Sequence, residues 1–566
     1  WLVHRDPQLL DIPPNVTGLL VRQIAKLPRE LGEILAAASV QGVDFELEGV
    51  AIGLGRSTAE IREALQHLEQ RRLVRPRRHG FRFDRGPVRD LLYRSLGPTR
   101  RVELHRKLAL YHLERHPEEP RPGPVSLLIG RHGLEGDLLE ATVQDAIAGA
   151  RYLQRTHAPL DARRFVERAL ERLGTSPDEP SLQRAALDLM FLRADLSESL
   201  GERIGQTENL RNAARLAQKL DDRRALSAVY RRLARFAILS GAYLAANSYL
   251  ERALDYARQV ADPSAEASTV YLLGINHSYL GDYLAGRRYF EKALATWEER
   301  EDLRGEALCL DALGRYWDHV NDFAVARDHF NRAVRRFGRA GDEAGEAEAL
   351  FHRARLFASL GQDERAVEDL ARARQLAIAI GDRRTEAMSS ALDAEVKRKL
   401  GDYASARAQL EEAIDILGRQ EDIRQLVRAL LRFSRLLSDT DAPGYDLDQA
   451  LSFARQALRQ AEDSGIAPVT IQSLAALIRL LLKSDRIDEA AEAADELVAM
   501  LRGHPEETQE RPIFYRILAE AFEAAGRGKE AATWRHRGAK LLEARCQRIS
   551  SPEDQELYRQ HVLSAS

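Results

Sequence analysis

Cysteine is nearly absent from this 566-residue chain, which contains Cys309 and Cys546 and no others. Two cysteines cannot build a disulfide framework, and these two lack metal-ligand spacing. An excess of one charge is also missing, because the formal net charge is −3. The chain as a whole is therefore a poor electrostatic match for nucleic acid or an anionic membrane.

Long hydrophobic runs are missing as well. No stretch approaches the roughly 18 consecutive apolar residues that a membrane-spanning helix needs, and no signal peptide is visible. We therefore expect no membrane association and a cytoplasmic location. Because the chain starts with Trp1, we expect it to be part of a longer gene product.

The motifs of common catalytic sites are absent too. The sequence contains neither the phosphate-binding pattern Gly-x-x-x-x-Gly-Lys-Ser/Thr nor the nucleophile pattern Gly-x-Ser-x-Gly. His105, His112 and His116 share one helical face and could hold a metal, but no nearby carboxylate or cysteine completes a site. A solvated face is the favoured interpretation, and we predict a non-enzymatic chain with no cofactor and no metal.

What the sequence does contain is an internal repeat with a step of 40 residues. Glycine recurs at the same position of successive repeats, and Asn321 takes that position in the one repeat of this series that lacks the glycine. A small residue follows twelve positions later, and an acidic residue marks the next loop. The three series are Gly201, Gly241, Gly281, Gly361 and Gly401; Ala213, Ala253, Ala293, Ala333, Ala373 and Ala413; and Asp222, Asp262, Asp302, Asp342, Asp382 and Asp422. Such a period is typical of stacked repeat architectures.

Each repeat reads as a pair of helices. In residues 264–300, apolar residues at helical spacing end at Leu280, and Gly281-Asp282 breaks the helix. Tyr283 and Phe290 lie on one face of the second helix. A single pair cannot bury such a face alone, so neighbouring pairs must stack.

This pattern resembles the tetratricopeptide repeat. The matching residues are Leu273-Gly274, Gly281, Tyr283, Gly286, Phe290 and Ala293, followed by Leu313-Gly314, Trp317, Phe323, Ala326, Phe330 and Ala333. The period is 40 instead of the usual 34 residues. The resemblance implies an all-α fold, a right-handed superhelix of helical hairpins over residues 125–546, followed by a tail at 547–566.

The first 117 residues have a different pattern. Three helices are predicted at 27–42, 45–55 and 57–74, the last opened by the capping box Ser57-x-x-Glu60. A two-stranded hairpin is predicted to turn at His79-Gly80, and further helices follow from Pro87. Three helices plus a β wing form a winged-helix arrangement. Residues 118–124 contain three prolines and a glycine and are predicted to be a linker.

This order of modules resembles bacterial signal-transduction ATPases of the STAND class, in which a nucleotide-binding domain precedes a winged helix and long tetratricopeptide-like repeats. The matching segments are 38–42, 61–73, 81–83, 88–93 and 101–105. Many relatives have a histidine where Arg85 stands here, which is a departure from the pattern. The resemblance implies a non-catalytic sensor arm that relays binding to an upstream nucleotide-binding domain. The alternative is a free-standing scaffold whose winged helix binds DNA.

Arginines are concentrated in the predicted wing, at Arg71, Arg72, Arg75, Arg77 and Arg78, with Arg82 and Arg85 close by. They could contact a DNA backbone or a neighbouring domain, or form a solvated edge. The adjoining helix carries Glu60, Glu63 and Glu69, which would repel phosphates. Nucleic acid is therefore a disfavoured partner.

In tetratricopeptide repeats the fifth and ninth positions of the first helix face the groove. The resemblance places ten residues there: Arg231, Arg235, Tyr271, Ile275, Asp311, Arg315, Phe351, Arg355, Ala391 and Glu395. Arginine with aromatic residues suits a peptide carboxylate or an acidic segment. We predict a protein or peptide partner in the groove, with a merely solvated groove as the alternative. Self-association of the chain is left open.

Overall fold

The chain folds into two compact units, seen in a computed structural model. The structure describes residues 24, 26–156, 158–174, 179–200, 205–419, 422–503, 511–549 and 551–564. The first unit runs from Trp1 to Leu196 and the second from Ser197 to Ser566. The predicted all-α class with stacked helical hairpins and a small sheet is confirmed.

From Arg29 onward, the first unit starts with three helices and three strands. They are α1 (Arg29–Gln41), β1 (Asp44–Phe45), α2 (Leu47–Leu54), α3 (Thr58–Gln70), β2 (Val74–Arg77) and β3 (Gly80–Phe83). Strand β3 lies between β1 and β2 and pairs antiparallel with both. Phe45 therefore belongs to a strand and not to the predicted helix 45–55, because residues 44–45 bond to β3 before the helix starts at Leu47.

Aromatic packing closes this small sheet. The Phe45 ring lies 5.1 Å from that of Phe83, and both side chains are buried. The predicted capping box of α3 is present, since Ser57 Oγ accepts from the Glu60 amide and the Glu60 carboxylate accepts from the Ser57 amide. Each bond satisfies a backbone donor that the helix start would leave free.

Six further helices complete the first unit. They are α4 (Gly86–Ser95), α5 (Pro98–Arg115), α6 (Gly123–Glu135), α7 (Leu139–Arg155), α8 (Pro159–Leu173) and α9 (Pro180–Ser199), whose last turn extends past the unit boundary. Small residues bring α6 and α7 together: a Cβ atom on Gly130 would lie 2.5 Å from Ala146 Cα. A larger residue there would force the two helices apart.

The second unit is a series of helical hairpins with one further helix at each end. Its helices are α10 (Gln206–Lys219), α11 (Arg223–Leu239), α12 (Tyr243–Gln259), α13 (Pro263–Tyr279), α14 (Tyr283–Glu299), α15 (Leu303–His319), α16 (Phe323–Ala340), α17 (Glu343–Ser359), α18 (Asp363–Ile380), α19 (Arg383–Lys399), α20 (Tyr403–Arg419), α21 (Ile423–Leu437), α22 (Leu447–Ser464), α23 (Ala467–Lys483), α24 (Ile487–Gly503), α25 (Arg511–Ala524), α26 (Gly528–Cys546) and α27 (Pro552–Ser564). We call the odd-numbered helices α11–α25 the first helices.

The repeated glycines end the first helices in the left-handed conformation. Gly281 has φ 91° and Gly401 has φ 84°, a region that glycine enters without steric cost. Asn321 occupies the same turn with φ 65°, and asparagine is among the residues that tolerate this region best. The predicted turn assignment is thus confirmed at these positions. Gly201 lies outside the described residues.

The repeated aspartates start the first helices. Asp302 Oδ1, for example, accepts a hydrogen bond of 3.0 Å from the backbone amide of Gly305. The same contact with the residue three positions later recurs at Asp222, Asp262, Asp342, Asp382 and Asp422. Replacing such an N-cap residue by alanine typically costs about 0.5–2 kcal/mol, so the series fixes where each hairpin begins.

The repeated small residues lie where helices cross. All six alanines of the series are at most 1% exposed. In α13, a Cβ atom on Gly274 would lie 2.5 Å from the Phe290 ring and 3.1 Å from the Gly286 carbonyl oxygen. Large rings on one helix therefore require small residues on the next, as the repeat pattern predicts.

Distant repeats of the second unit also touch one another. The turn at Gly241 lies against Ile466, since a Cβ atom on the glycine would come within 3.5 Å of Ile466 Cγ1. The terminal helix α27 lies within the segment 547–566, and its Tyr558 ring lies 5.6 Å from the Phe323 ring. The array thus makes contacts far beyond neighbouring hairpins.

A search of the described helices finds none that is long and apolar enough to cross a membrane.

Candidate partner-binding surface

Charged side chains of successive first helices pair with one another at a separation of about one repeat. Asp318 Oδ2 accepts from Arg355 Nη2 at 3.0 Å, and Arg435 Nη1 donates to Glu395 Oε1 at 2.8 Å. Further pairs of this kind are Asp311–His352, Glu348–Arg384, Arg384–Asp422 and Arg398–Asp439. Because each pair joins a first helix to the next first helix or to the residues that flank it, the pairs connect one repeat to the next.

Asp311 is the centre of the best-defined cluster on this surface. Its carboxylate meets Arg315 Nε at 3.2 Å and His352 Nδ1 at 2.9 Å. Burial alone would raise the pKa of Asp311, but the charges of His352 and Arg315 outweigh burial and hold the pKa below its usual value. Burial also lowers the pKa of His352 in spite of Asp311. The cluster is therefore built around an ionised carboxylate.

A second cluster joins repeats that are far apart in sequence. Arg424, at the start of α21, donates to the Tyr243 hydroxyl, and its guanidinium carbon lies 4.0 Å from the centroid of the Tyr279 ring. Arg424, Arg315 and Arg384 together outweigh the effect of burial and lower the pKa of Tyr279. A cation stacked on an aromatic ring in a half-buried place contributes about 0.5–2 kcal/mol.

The structure brings together three of the predicted groove residues. Asp311 and Arg315 pair directly, and Arg355 lies close enough to contribute to the lowered pKa of Asp311. The side chains of Arg315 and Arg355 remain 25% and 34% exposed, although each has a carboxylate on one side. These side chains retain exposed surface for a further contact.

The other predicted groove residues are placed differently. Phe351 is 4% exposed and packs in the core, so little of its surface is left for a partner. Tyr271 packs against Phe290 and Trp297, with ring centroids 5.8 and 5.9 Å away. Arg231 is half-buried with a pKa lowered mainly by burial, whereas Arg235 is exposed.

Sequence reasoning missed several members of this surface, among them Tyr243, Tyr279, Asp318, His352, Arg384 and Arg424. A signal for the ion pairs was available, since opposite charges recur at separations of 36 to 41 residues. No such signal was available for the contact between Tyr243 and Arg424. The two residues are 181 positions apart, and their contact depends on how the array curves.

The predicted wing arginines are exposed on the first unit. Arg71 and Arg72 follow α3, while Arg75, Arg77 and Arg78 lie in or beside β2. Arg75 Nε comes within 4.0 Å of Asp84. In the described part of the chain, the other four have no carboxylate within the same distance. The β2–β3 hairpin and the residues before it therefore present a cluster of guanidiniums without carboxylate partners among the described residues.

The histidine face predicted to be solvated is instead largely buried, because α5 packs against α6. His105 Nδ1 lies 2.8 Å from His132 Nδ1, and the rings of His112 and His132 stack at 6.0 Å. Burial lowers the pKa of His105 to about 3 and that of His112 to about 4. Among the described residues, no group of three histidine, cysteine or acidic side chains is placed to hold a metal ion.

Comparison with known proteins provides one family match. Residues 266–339, which span α13 to α16, match the tetratricopeptide repeat model. No curated protein matches the sequence.

Solved structures with a similar arrangement share little sequence with this chain. A Rap protein complexed with competence and sporulation factor is 15% identical with a TM-score of 0.49, covering 64% of this chain and 99% of that one. A STAND protein with a tetratricopeptide repeat sensor from Pyrococcus horikoshii is 15% identical with a TM-score of 0.38, covering 86% and 66%. NprR in complex with its cognate peptide NprX is 15% identical with a TM-score of 0.41, covering 62% and 98%.

The hairpin geometry and the match over residues 266–339 together identify the repeats of the second unit as tetratricopeptide-like.

Proposed function

We propose that the chain is a non-catalytic scaffold that binds a protein or peptide partner through the first helices of its second unit. The observation that supports this most directly is the partial exposure of arginine side chains that are paired with carboxylates. Arg315, Arg355 and Arg384 keep 25%, 34% and 32% of their side chains exposed beside carboxylates that hold them in place. Arginines fixed in this way are preorganised to bind carboxylates of an acidic segment.

The finer proposal is that the chain is the sensor arm of a STAND-type regulatory ATPase. Binding on the first helices would be relayed to an upstream nucleotide-binding domain through the N-terminal module, which we interpret as a winged helix. The order of elements supports this interpretation, because helices α1–α3 precede the β2–β3 hairpin and the repeats follow.

The second candidate is DNA binding through the wing. It is favoured by Arg71, Arg72, Arg77 and Arg78, which are exposed and lack carboxylate partners among the described residues. Exposed Glu60, Glu63 and Glu69 on α3 oppose it, since acidic side chains repel phosphates.

The test of the first proposal is a double variant, Arg315→Gln with Arg355→Gln. Glutamine keeps a polar, although shorter, side chain without placing a like charge beside Asp311 and Asp318. Losing charged contacts to a partner typically costs about 2–5 kcal/mol, so capture of the physiological partner from its native cells should fail. The variant leaves the buried Asp311 and Asp318 without their guanidinium partners, so circular dichroism must show that it is folded before capture is compared.

The matched control removes two charges from an outer surface. Arg335→Gln with Arg339→Gln alters exposed residues of the second helix α16. This control should recover the same partner as the parent chain. If the first double variant also recovers it, the binding surface lies elsewhere.

A further inference from the structure

The terminal helix α27 buries one residue per turn against the rest of the second unit. Asp554, Tyr558 and Val562 are 3%, 1% and 3% exposed, whereas Glu556 on another face is exposed. A helix of 13 residues is marginal in water on its own. The order of α27 therefore depends on the surface that receives this narrow stripe.

Tyr558 is the anchor of the helix. Its ring lies 5.6 Å from that of Phe323, the first residue of α16, and its hydroxyl lies 3.5 Å from Arg545 Nη1. Phe323 precedes Tyr558 by 235 residues (558 − 323). Helix α27 thus docks on a distant repeat as well as on its neighbours in sequence.

The end of α27 meets an arginine. Arg516 Nη1, on the first helix α25, donates to the Leu563 carbonyl oxygen at 2.5 Å. The last four carbonyls of a helix have no partner within the helix and carry partial negative charge. A guanidinium at this position is therefore suited to receive the C-terminal turn of a helix.

Two more arginines increase the positive charge near Arg516. Arg435, Arg479 and Arg516 belong to the first helices α21, α23 and α25. Burial, together with the charges of Arg435 and Arg516, lowers the pKa of Arg479 to about 10. Glu395 already pairs with Arg435 at 2.8 Å, and Arg516 has Glu520 at 3.5 Å. In spite of these two carboxylates, the electrostatic potential at Arg479 disfavours the presence of a further positive charge.

We propose that Phe323, Arg545 and Arg516 form a receptor site for the C-terminal turn of an amphipathic helix, and that α27 is its internal occupant. A protein partner would bind by presenting a helix with an aromatic residue, an aliphatic residue four positions later and free carbonyls in the last turn. Such a helix would displace α27. This inference rests on the proposed partner-binding function and names one kind of partner for it.

Displacement leaves each hairpin with both of its helices, because α27 belongs to none of them. The last hairpin, α25 and α26, ends at Cys546, and α27 begins at Pro552. A tethered helix competes with free helices at an effective concentration of about millimolar. An external helix must therefore bind tightly enough, or be concentrated enough, to compete with the tethered α27.

The experiment uses the full chain and a labelled peptide of residues 551–564, followed by fluorescence anisotropy. Two variants release α27: Tyr558→Ala removes the anchor, and Glu556→Pro breaks the helix at an exposed position. Each should bind the peptide at least about tenfold more tightly than the parent chain, whose site is occupied. Leu563→Ala, which alters a side chain that is 58% exposed and keeps the carbonyl, should behave like the parent.

Two further variants identify the site. A peptide carrying Tyr558→Ala should not bind the Glu556→Pro chain. Adding Arg516→Ala to that chain should weaken binding of the unaltered peptide by about tenfold, as expected for loss of a charged hydrogen bond. Circular dichroism confirms that each variant is folded.

The inference would be overturned if the peptide bound equally well to the parent and to both release variants. It would also be overturned if the Glu556→Pro and Tyr558→Ala chains were folded but did not bind the peptide. A failure of the proposed function would be seen in a different experiment. If the chain with Arg315→Gln and Arg355→Gln still captured the partner, the first-helix surface would be excluded as its binding site. Peptide binding to the Glu556→Pro chain would in that case still support the receptor site.

Discussion

The β2–β3 hairpin of the first unit, which we interpret as a wing, and the first helices of the second unit are both rich in arginine, yet their arginines are in opposite situations. Arg77 and Arg78 are exposed, and the described residues offer them no carboxylate, whereas Arg315 and Arg355 each have one. The difference arises because the repeats place an acidic residue beside each of these arginines, four residues away on the same helix for Arg315 and about one period away for Arg355. An arginine count in a sequence therefore does not indicate whether a surface is available for a charged partner.

The largest effect is expected where a buried carboxylate is removed from the paired surface. Asp311→Ala leaves Arg315 and His352 without their acidic partner, and breaking a buried ion pair typically costs about 3–5 kcal/mol. Urea unfolding should show this loss. As the control, Asp328→Ala removes a carboxylate that is 62% exposed and should change stability by less than about 0.5 kcal/mol.

Acid should lower the stability of the first unit, in which His105 and His112 are buried. The folded pKa values of His105 and His112 are depressed to about 3 and about 4, below the ordinary value of about 6.5. Their contribution to stability is complete above pH 6.5 and is lost as the pH falls, because the unfolded chain takes up protons first. Between pH 7 and pH 5 we expect a loss of about 2–4 kcal/mol.

Urea unfolding monitored by circular dichroism at the two pH values measures this loss, because the described part of the first unit contains no tryptophan. Replacing His112 by glutamine should reduce the pH dependence. If the His112→Gln variant loses as much stability between pH 7 and pH 5 as the parent chain, the pKa of His112 does not differ between the folded and unfolded states.

An intermediate effect is expected at the repeat turns. Gly281→Val places a β-branched residue at φ 91°, and strain of this kind typically costs about 1–3 kcal/mol. Gly418 lies in the helix α20 with no atom within 4 Å of an added Cβ, so Gly418→Val should change stability by less than about 1 kcal/mol. Matching thermal unfolding of Gly281→Val and the parent would contradict the turn assignment.

The smallest effect is expected at the wing. Arg77→Ala with Arg78→Ala removes exposed side chains and should leave stability within about 0.5 kcal/mol of the parent. We also expect no duplex to be preferred over others by the factor of about a thousand that specific DNA binding brings. Measuring such a preference at physiological salt would favour the second candidate function.

The sequence was sufficient to predict the repeat turns and the N-terminal capping box, because each depends on residues within a few positions. Gly281, Asn321 and Ser57 all have the predicted conformation or contact. The contact of Arg424 with Tyr243 could not be predicted, since it depends on how the array curves. The burial of His105 could not either, because it depends on α6 packing against α5.

The contact of Arg424 with Tyr243, across 181 residues, has a consequence for how the second unit folds. A repeat array whose contacts are all between neighbours behaves as a one-dimensional chain that can fray from its ends. Contacts of high sequence separation raise the contact order and delay folding until distant segments have met. The same contacts oblige distant hairpins to unfold together, so the second unit should lose its structure in one cooperative transition and resist stepwise loss of its terminal repeats.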